Sequence, residues 1–315
     1  MPRRAVVLMN LGGPDSLAAV RPFLVNLFSD PAIIGLPAPL RGLVARLIAW
    51  RRTKAAIDIY AHLGGGSPLL ANTEAQARAL EEALGADSRC FVAMRYWRPL
   101  TAAAVAAVKA WRPEEVVLLP LYPQFSTTTT ASSLAAWRRA AARQRLNCPT
   151  RIIESYPTVP GFIAALAGLI EPVLDQAEKS GTVRLLLSAH GLPLKIVRAG
   201  DPYPNQIAQT ATAVVAALGR PGLDWVVCYQ SRVGPLAWLG PATDDEIRRA
   251  GQAGVALVVA PISFVSEHSE TLVELDRDYR RLAERCNVPD YWRAPAVGAD
   301  PRFIAALAAL VDAAA

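Results

Sequence analysis

The chain has 315 residues, 52% of them hydrophobic, and a formal net charge of +6. This length allows one large domain or two of moderate size, with a sizeable core. No apolar run approaches the roughly 20 residues of a membrane span, and the N-terminus lacks a signal-peptide pattern, so we expect a cytoplasmic protein. Four singly scattered cysteines favour reduced structural thiols over a zinc or iron–sulfur site.

In the first half of the chain, short apolar runs alternate with stretches in which apolar residues recur at helical spacing. The apolar runs predict strands at 5–9, 91–96, 116–122 and 151–153. Helices are predicted up to Phe28 and over 72–85, 101–111 and 131–145. Such alternation is typical of a parallel sheet that is flanked by helices.

A segment after the first predicted helix combines apolar and basic residues. Residues 31–40 are apolar and interrupted by prolines, and basic side chains then punctuate an apolar pattern at helical spacing: Arg41, Arg46, Arg51, Arg52 and Lys54. This composition fits a surface helix that rests on a membrane, and it equally fits an ordinary helix that faces the core. A binding site for an apolar dianion would have the same composition. The membrane-surface helix and the core-facing helix therefore both remain open.

The pattern then begins again in the second half. Strands are predicted at 183–189, 225–230 and 255–263, and helices at 160–178, 204–218, 243–251, about 270–285 and 301–313. The halves also echo each other, because Asn10 is separated from a Gly-Gly-Pro run by one residue and His190 is followed by Gly-Leu-Pro. We therefore predict an α/β protein with two similar domains that face each other across a cleft, with the boundary near residue 156.

Two of the three histidines, His190 and His268, come after apolar strand-like runs. In open α/β proteins, ligands bind beyond the carboxyl ends of parallel strands. Glu270, Glu274 and Asp278 come next at steps of four, which would stack their carboxylates on one helical face. Imidazole beside carboxylates indicates chemistry with protons, a metal ion or both.

Three common catalytic motifs do not match this chain. The glycines near residue 12 lack the spacing of a dinucleotide fingerprint, and Gly64–Gly66 lack the lysine of a P-loop. Ser67 is followed by Pro68 and Leu69, where a hydrolase nucleophile elbow needs a glycine. These observations argue against dinucleotide binding, P-loop chemistry and hydrolysis.

Long ordered motifs closely resemble those of ferrochelatases, the enzymes that insert ferrous iron into a porphyrin. The resembling motifs cover nearly the whole chain in order: NLGGP (10–14), LGGGSP (63–68), YPQFS (122–126), SAHGLP (188–193), GDPY (200–203), QSRVGP (230–235) and the run 261–276. The resemblance implies two Rossmann-like domains, each a four-stranded parallel sheet flanked by helices, with a porphyrin cleft between them. They would comprise residues 1–156, with a porphyrin-gripping lip at about 31–52 and the C-terminal helix 301–315, and residues 157–300.

The resemblance also implies roles for the residues at the strand ends of the second half. His190 would accept pyrrole protons or bind the incoming metal, and Glu270 would act with it as a catalytic and metal-binding group. Both roles of the histidine need a neutral imidazole nitrogen, which histidine supplies near neutral pH. Glu274 and Asp278 match an acidic track for metal or protons, with a solvated helix face as the alternative. His268 would support Glu270, or have a structural role only.

A second group of residues matches porphyrin contacts in the family. Arg95 and Arg139 would pair with propionates, for which guanidinium groups are well suited. Leu11, Trp238 and residues 31–40 would grip the macrocycle, although Trp238 alternatively serves the core. Tyr122 and Ser126 complete the predicted porphyrin-binding set. A grip that bends the ring would use binding energy to favour metal insertion.

The expected activity is that of a lyase that inserts Fe²⁺ into protoporphyrin IX, with release of two protons, to give protohaem. The lip and Leu11–Pro14 resemble the branch of the family that uses protoporphyrin IX rather than coproporphyrin III. The alternatives are a coproporphyrin chelatase, a cobalt or nickel tetrapyrrole chelatase and, from a different class, a non-catalytic porphyrin or haem carrier.

The expected partners are the porphyrin and ferrous iron, with peripheral membrane contact through the lip as a further expectation. We expect no nucleic-acid partner and no tightly bound cofactor, since Fe²⁺ is a substrate. Some members of the resembled family carry a cysteine-rich C-terminal extension that holds a [2Fe-2S] cluster. Here no cysteine follows Cys286, so we predict no cluster, no dimer tied to such an extension, and a monomer. The predicted location is the cytoplasm, including the inner face of the membrane.

Overall fold

A computed structural model describes residues 3–232, 234 and 236–314. The predicted domain and motif ranges also include Met1, Pro2, Val233, Pro235 and Ala315, which lie outside the described residues. The chain divides into two compact units, Met1–Ser155 with Leu307–Ala315 and Tyr156–Ala306. Each unit contains one four-stranded parallel sheet. This architecture confirms the predicted α/β fold class.

In the first unit, the sheet has the order β2-β1-β3-β4 and all neighbouring strands are parallel. Its strands are β1 (Arg4–Asn10), β2 (Ser88–Met94), β3 (Glu115–Pro120) and β4 (Thr150–Ile152). Its helices are α1 (Val20–Phe28), α2 (Ala38–Ala61), α3 (Leu69–Leu84), α4 (Thr101–Trp111) and α5 (Thr130–Gln144). Every residue of β1 and β3 is buried, as expected for central parallel strands that are covered on both faces.

The sheet of the second unit has the order β6-β5-β7-β8 and is again parallel. Its strands are β5 (Val183–His190), β6 (Asp224–Gln230), β7 (Ala256–Pro261) and β8 (Tyr291–Arg293). Its helices are α6 (Pro160–Ala177), α7 (Leu194–Arg198), α8 (Tyr203–Leu218), α9 (Thr243–Ala253), a π-helix (Glu270–Tyr279) and α10 (Arg280–Arg285). The last helix, α11, spans Pro301–Ala314.

The structure differs from the sequence-based expectation at three places in the second half. The fourth strand, β8, was not located, because three residues that end in Arg293 do not form an apolar run. The five-residue helix α7 was also missed. The helix expected from about residue 270 begins as a π-helix of ten residues, whose i→i+5 hydrogen bonds are not signalled by apolar periodicity.

Helix α2, which forms most of the predicted lip, has one buried face and one exposed face. Ala45 and Ala49 are buried against a cluster that includes Phe28 and Tyr96. Other apolar side chains of α2 point to solvent, and four of them are more than half exposed: Leu40, Leu43, Leu47 and Trp50. Among the described residues, no helix combines the length and apolar character that crossing a membrane requires.

Candidate functional site

His190 is the last residue of β5, and its main chain is held from two sides. Its amide donates a hydrogen bond to Ser263 Oγ (3.1 Å), and the Tyr203 hydroxyl donates to its carbonyl (3.1 Å). The ring nitrogen Nδ1 lies 2.6 Å from the carbonyl oxygen of Gly191. A carbonyl only accepts, so Nδ1 carries the hydrogen and the neutral ring presents a lone pair at Nε2. That lone pair can accept a proton or bind a metal ion.

Glu270, the first residue of the π-helix, lies beside two imidazole rings. Its Oε1 is 3.7 Å from His190 Nε2, and its Oε2 is 3.8 Å from His268 Nε2. Both separations exceed a direct hydrogen bond. Two ligands that are each about 2.1 Å from one divalent ion lie roughly 3–4 Å apart, so the pair of His190 and Glu270 fits a shared ion. The structure thus brings the two principal predicted residues together.

The charge state of Glu270 depends on its surroundings. Burial acts to raise its pKa, but the positive charges that His190 and His268 can carry outweigh burial and lower the pKa to about 2. Glu270 is therefore ionised at neutral pH and can stabilise a proton or a cation at His190. Within the described part of the chain, no group of three or more His, Cys, Asp or Glu residues is arranged to hold a metal ion.

His268 is fixed by its own loop. Its amide donates to Thr271 Oγ1 (2.9 Å), and that hydroxyl donates to its carbonyl (3.0 Å). Its ring packs against Phe264, with ring centroids 4.4 Å apart. Its side chain is mostly buried, whereas that of His190 is 42% exposed. This difference suits the predicted supporting role of His268 beside Glu270.

Glu274 is bound tightly by the loop after β6. The Ser231 amide donates to its Oε1 (2.8 Å), the Ser231 hydroxyl donates to Oε2 (2.5 Å), and the Tyr279 hydroxyl donates to Oε1 (3.1 Å). Ser231 has a φ of 59°, a left-handed conformation that is costly for a residue with a side chain. Burial and the neighbouring Glu270 raise the pKa of Glu274. Glu274 therefore joins the π-helix to this loop.

Asp278 has different surroundings from the other two predicted carboxylates. Its Oδ1 pairs with Arg277 Nε at 2.7 Å, and its side chain is 45% exposed. The three predicted carboxylates, Glu270, Glu274 and Asp278, thus face two histidines, a loop and solvent, respectively.

Trp238 lies next to the end of β5. The Leu194 amide donates to the Ala237 carbonyl (2.8 Å), and the Leu239 amide donates to the Leu192 carbonyl (3.0 Å), so the two loops run side by side. A side chain at Gly191 would approach Trp238 Cε3 to 3.3 Å. The buried Trp238 Nε1 has no hydrogen-bond partner among the described residues. Trp238 thus packs beside the loop that begins at His190.

The two predicted propionate partners of the first unit lie directly after β2 (Arg95) and inside α5 (Arg139). Arg95 Nη2 pairs with Asp30 Oδ2 (2.7 Å), and Arg95 Nε donates to Ser132 Oγ (2.8 Å). Arg95 and Arg139 line one surface depression of about 220 Å³, together with Leu100, Thr101, Ala102, Ala136, Ala140, Arg143 and Gln144. The structure therefore brings the two predicted propionate partners together, although Arg95 already has an internal anionic partner.

Leu11, Tyr122 and Ser126 lie in the loops after β1 and β3. The Leu11 amide donates a hydrogen bond to Asn10 Oδ1 (2.8 Å). The Tyr122 hydroxyl lies 3.5 Å from Ser133 Oγ, and burial raises the pKa of Tyr122. Ser126 Oγ is 2.9 Å from Thr128 Oγ1. These positions match the expected carboxyl ends of the strands, where ligands bind in this class of fold.

Comparison with known proteins identifies the family. The ferrochelatase family model matches residues 3–315. The chain belongs to the ferrochelatase family. It is 54% identical over 312 residues to a ferrochelatase of Caulobacter vibrioides, with 98% of this chain and 89% of that protein covered. It is 56% identical over 309 residues to a ferrochelatase of Phenylobacterium zucineum, with 96% and 89% covered.

Solved structures support the same fold. The sirohydrochlorin chelatase SirB from Bacillus subtilis subspecies spizizenii, in complex with cobalt, has a TM-score of 0.56 and 12% identity, with 99% of this chain and 95% of that chain covered. SirB from Bacillus subtilis with Fe³⁺ gives a TM-score of 0.54 at 11% identity, with 99% and 96% covered. At such low identity the likeness concerns the fold alone. The shared fold consists of two parallel sheets that are flanked by helices.

Sequence reasoning missed several ion-paired residues that lie near the predicted site residues of each unit. Asp30, Glu267, Asp276 and Arg293 are partly or fully buried and ion-paired. A charged residue inside an apolar surrounding is a signal that its partner lies nearby. The partner cannot be read from the sequence, because Asp30 and Arg95 are far apart in the chain and Arg293 lies on the strand that was not located.

Proposed function

We propose that the protein inserts Fe²⁺ into protoporphyrin IX, releases two protons and forms protohaem, the last step of haem biosynthesis. Its membership of the ferrochelatase family supports this proposal. The observation that carries it is the pair of His190 Nε2 and Glu270 Oε1, 3.7 Å apart at the carboxyl end of a parallel sheet. This pair combines a proton acceptor with an ionised carboxylate, as metal insertion into a porphyrin requires.

His190 accepts a pyrrole proton at Nε2 in this proposal. Its Nδ1–H is committed to the Gly191 carbonyl, so the imidazole does not need to rotate to present the lone pair. The carboxylate of Glu270 stabilises the imidazolium that results, and His268 orients this carboxylate. Coordination of the incoming Fe²⁺ by His190 and Glu270 is the other role that their spacing permits, and an imidazole ligand and a carboxylate ligand both suit ferrous iron.

The porphyrin-binding residues act by holding the ring. Trp238 and Leu11 supply apolar surface, and Tyr122 and Ser126 supply hydroxyl groups. Arg139, which is exposed, pairs with a propionate. We assign Arg95 a less direct part, because Asp30 and Ser132 already occupy two of its nitrogen atoms.

The acidic track is proposed to run from Glu274 to Glu270. The carboxylate of Glu274 is close enough to Glu270 for the charge of one to raise the pKa of the other. Oxygen ligands exchange metal ions readily, so two such groups can pass Fe²⁺ onward without trapping it. Asp278 would be the entrance of the track, where it is open to solvent.

An anaerobic assay with Fe²⁺ and protoporphyrin IX tests the proposal. Metallation is followed by the change of the Soret and visible bands, with coproporphyrin III run in parallel to decide the porphyrin. We expect haem formation by the wild type and a loss of about 10²–10⁴-fold in His190→Ala with porphyrin binding retained. His62→Ala is the matched control, because His62 is exposed and its Nδ1 contacts the Asp58 carbonyl of its own helix end.

Three outcomes would reject this function. A wild type that does not metallate either porphyrin rejects insertion, and porphyrin binding without turnover identifies a carrier. Full activity of His190→Ala rejects the assigned role of His190. Faster turnover of coproporphyrin III than of protoporphyrin IX replaces the proposed substrate by the alternative one.

We further propose that the lip touches a membrane surface. The exposed side chains of α2 recur at steps of three and four residues, which places Leu40, Leu43, Leu47 and Trp50 on one face. Arg46, Arg51 and Arg52 on the same helix would meet anionic headgroups. Such contact would place a cytoplasmic protein at the inner face of the membrane, beside an apolar substrate.

Vesicle flotation tests the membrane contact. The triple variant Leu43→Ser, Leu47→Ser, Trp50→Ser should lose most binding to vesicles of phosphatidylglycerol and phosphatidylethanolamine, because it removes the largest exposed apolar surface of α2. Trp225→Ser, which changes an exposed tryptophan of β6, is the control. Unchanged flotation of the triple variant would reject the lip as the anchor.

We also propose that the protein acts as a monomer without a tightly bound cofactor and without a [2Fe-2S] cluster, with Fe²⁺ as its substrate. Its four cysteines are scattered singly along the chain, without the grouped spacing of cluster ligands, and this supports the absence of a cluster. Iron and sulfide analysis of anaerobically purified protein, together with light scattering, tests it. Stoichiometric acid-labile sulfide would contradict the absence of a cluster, and a stable dimer would contradict the monomer.

A further inference from the structure

Arg293 is a nearly buried cation that binds two carboxylates. Its side chain is 10% exposed. Its Nε and Nη2 contact the two oxygens of Asp276 at 2.6 and 2.9 Å, and its Nη1 donates to Glu267 Oε1 at 2.8 Å. Nη1 also donates to the Ala294 carbonyl at 3.2 Å. Nearly the whole guanidinium group is therefore committed to fixed partners.

The two carboxylates belong to segments on either side of Glu270. Glu267 directly precedes His268 in the loop after β7, and Asp276 lies inside the π-helix that begins at Glu270. Glu267 Oε1 additionally accepts a hydrogen bond from the Ala296 amide (2.9 Å). Arg293, at the end of β8, thus ties both flanks of the stretch 267–276 to the sheet.

The two-pronged contact with Asp276 fixes direction as well as distance. Two parallel N–H···O bonds between a planar guanidinium and a carboxylate allow little rotation of either group. A π-helix is an unusual conformation that is frequently found at functional sites, and its register determines where the first side chain points. The contact with Asp276 therefore restrains the register of the helix that carries Glu270.

A gain in stability alone does not explain why a buried arginine is paired with two carboxylates here. Buried ion pairs lose much of their Coulomb attraction to desolvation, and apolar residues of similar volume are often as stabilising. Fixing one geometry is a use for which buried charges are suited, and here the geometry concerns the carboxylate that faces His190.

We propose that Arg293 is a positioning residue that holds Glu270 at its separation from His190 by clamping Glu267 and Asp276. This inference rests on the proposed function of His190 and Glu270. It predicts that the position of Glu270 depends on the forked shape of the guanidinium group as well as on its charge. Arg293→Lys keeps the charge but cannot make the two parallel bonds to Asp276.

The matched control is Arg280→Lys in the same unit. Arg280 is exposed, donates from Nη1 to the Tyr291 carbonyl (2.7 Å) and stacks over the Tyr291 ring, so it contacts the same strand as Arg293 through other partners. Asp276→Asn is a second variant, which keeps the shape of the side chain while removing its charge. It covers the case in which Arg293→Lys does not fold.

Two measurements on the full chain test the clamp. In amide hydrogen exchange, Arg293→Lys should accelerate exchange in the peptide that covers residues 268–276 by about tenfold or more, whereas Arg280→Lys should not. In steady-state insertion of Fe²⁺ into protoporphyrin IX, Arg293→Lys should lower kcat about 10-fold or more, with the KM for porphyrin changed less than about twofold. Asp276→Asn should show the same pattern more weakly.

The outcomes separate this inference from the proposed function. If the wild type metallates porphyrin and folded Arg293→Lys matches it in kcat and in exchange, the clamp is rejected. Activity that falls only in proportion to the folded fraction, as measured by circular dichroism, also rejects a positioning role. If the wild type does not metallate porphyrin, the proposed function fails, and the exchange measurement alone decides whether Arg293 holds this segment.

Discussion

The two sheets of this protein have the same strand order but differ in the side chains that lie at their strand ends. In each unit the first strand lies between the second and the third, and the fourth is at the edge. After β2, Arg95 meets Asp30, whose side chain is only 2% exposed. After β5 and β7, His190 and Glu270 face each other at 3.7 Å with His190 partly open to solvent. One topology thus supports a closed ionic cluster in the first unit and, in the second, the open pair for which we propose a reactive role.

The hydrogen bonds of the two carboxylates explain this difference. Asp30 accepts bonds from Arg95, Tyr96, Ser132 and the Ala32 amide, so its charge is fully used inside the protein. Glu270 Oε2 is buried and has no hydrogen-bond partner among the described residues. A saturated carboxylate stabilises a fold, whereas an ionised carboxylate with spare acceptor capacity can respond to a proton or a cation.

The largest effect is expected at the open pair. Glu270→Gln keeps the size of the side chain but removes the charge that faces His190, so insertion should fall about 10²–10⁴-fold. Porphyrin affinity should change little, because the carboxylate is not among the apolar or basic groups assigned to the ring. Steady-state metallation and porphyrin fluorescence titration measure the two quantities. Glu284→Gln, at an exposed glutamate of α10, is the control, and equal activity of both variants would show that the pair is not reactive.

The closed cluster should respond in stability instead. Asp30→Asn leaves Arg95 without its anionic partner, and breaking a buried pair in this way costs about 3–5 kcal/mol. Urea unfolding at pH 7 measures the free energy of unfolding, with Asp58→Asn at an exposed position of α2 as the control. A change below about 0.5 kcal/mol would show that the cluster is not a structural counterpart of the open pair.

The stabilisation by Asp30 should also depend on pH in a defined direction. Burial acts to raise the pKa of Asp30, but bonds from Ser132, the Ala32 amide and Tyr96, with the charge of Arg95, lower it below its ordinary value of 3.8. The folded state therefore gains stability from the ionised form above about pH 4, and this gain is lost as the pH falls below that value. The stability difference between wild type and Asp30→Asn should shrink on acidification. A difference that grows below pH 4 would contradict the assignment.

A further comparison between the two units concerns the glycines just beyond β1 and β5. A side chain at Gly12 would lie 3.0 Å from the Trp97 amide nitrogen, and Gly12 has a φ of +86°. A side chain at Gly191 would lie 2.8 Å from the Gln230 carbonyl and press on Trp238. Gly12→Ala should cost about 1–3 kcal/mol of stability, because backbone strain and close contact both oppose it.

Gly191→Ala should additionally weaken porphyrin binding about two- to tenfold, because it displaces the Trp238 ring or the loop that carries it. Thermal unfolding and porphyrin titration of both variants separate the effects. If Gly12→Ala weakens porphyrin binding as much as Gly191→Ala does, the contrast between a structural and a functional strand end does not hold here.

The sequence predicted those features that depend on local pattern. The apolar runs of β1, β3, β5 and β7 are long enough to recognise. His190 was expected at a strand end because this polar residue directly follows the apolar run that predicts β5. Strand β8 and the π-helix depend on contacts made in three dimensions, such as those of Arg293 with Asp276, and no periodicity signals them. The contact of Ser231 with Glu274 was missed for the same reason, since residues 43 positions apart were not expected to meet.

The smallest effect is expected at Asp278, which tests how far the open region of the second unit extends. Its carboxylate pairs with the adjacent Arg277 and is 45% exposed, and surface pairs of this kind contribute about 0–1 kcal/mol. Asp278→Asn should therefore change kcat and the KM for Fe²⁺ by less than about twofold, because solvent already screens the charge. Glu274→Gln, measured alongside, removes a carboxylate that is held by Ser231 and should have a larger effect. A rise of about tenfold in the iron KM of Asp278→Asn would instead show that the entrance of the acidic track contributes strongly to iron uptake despite its exposure to solvent.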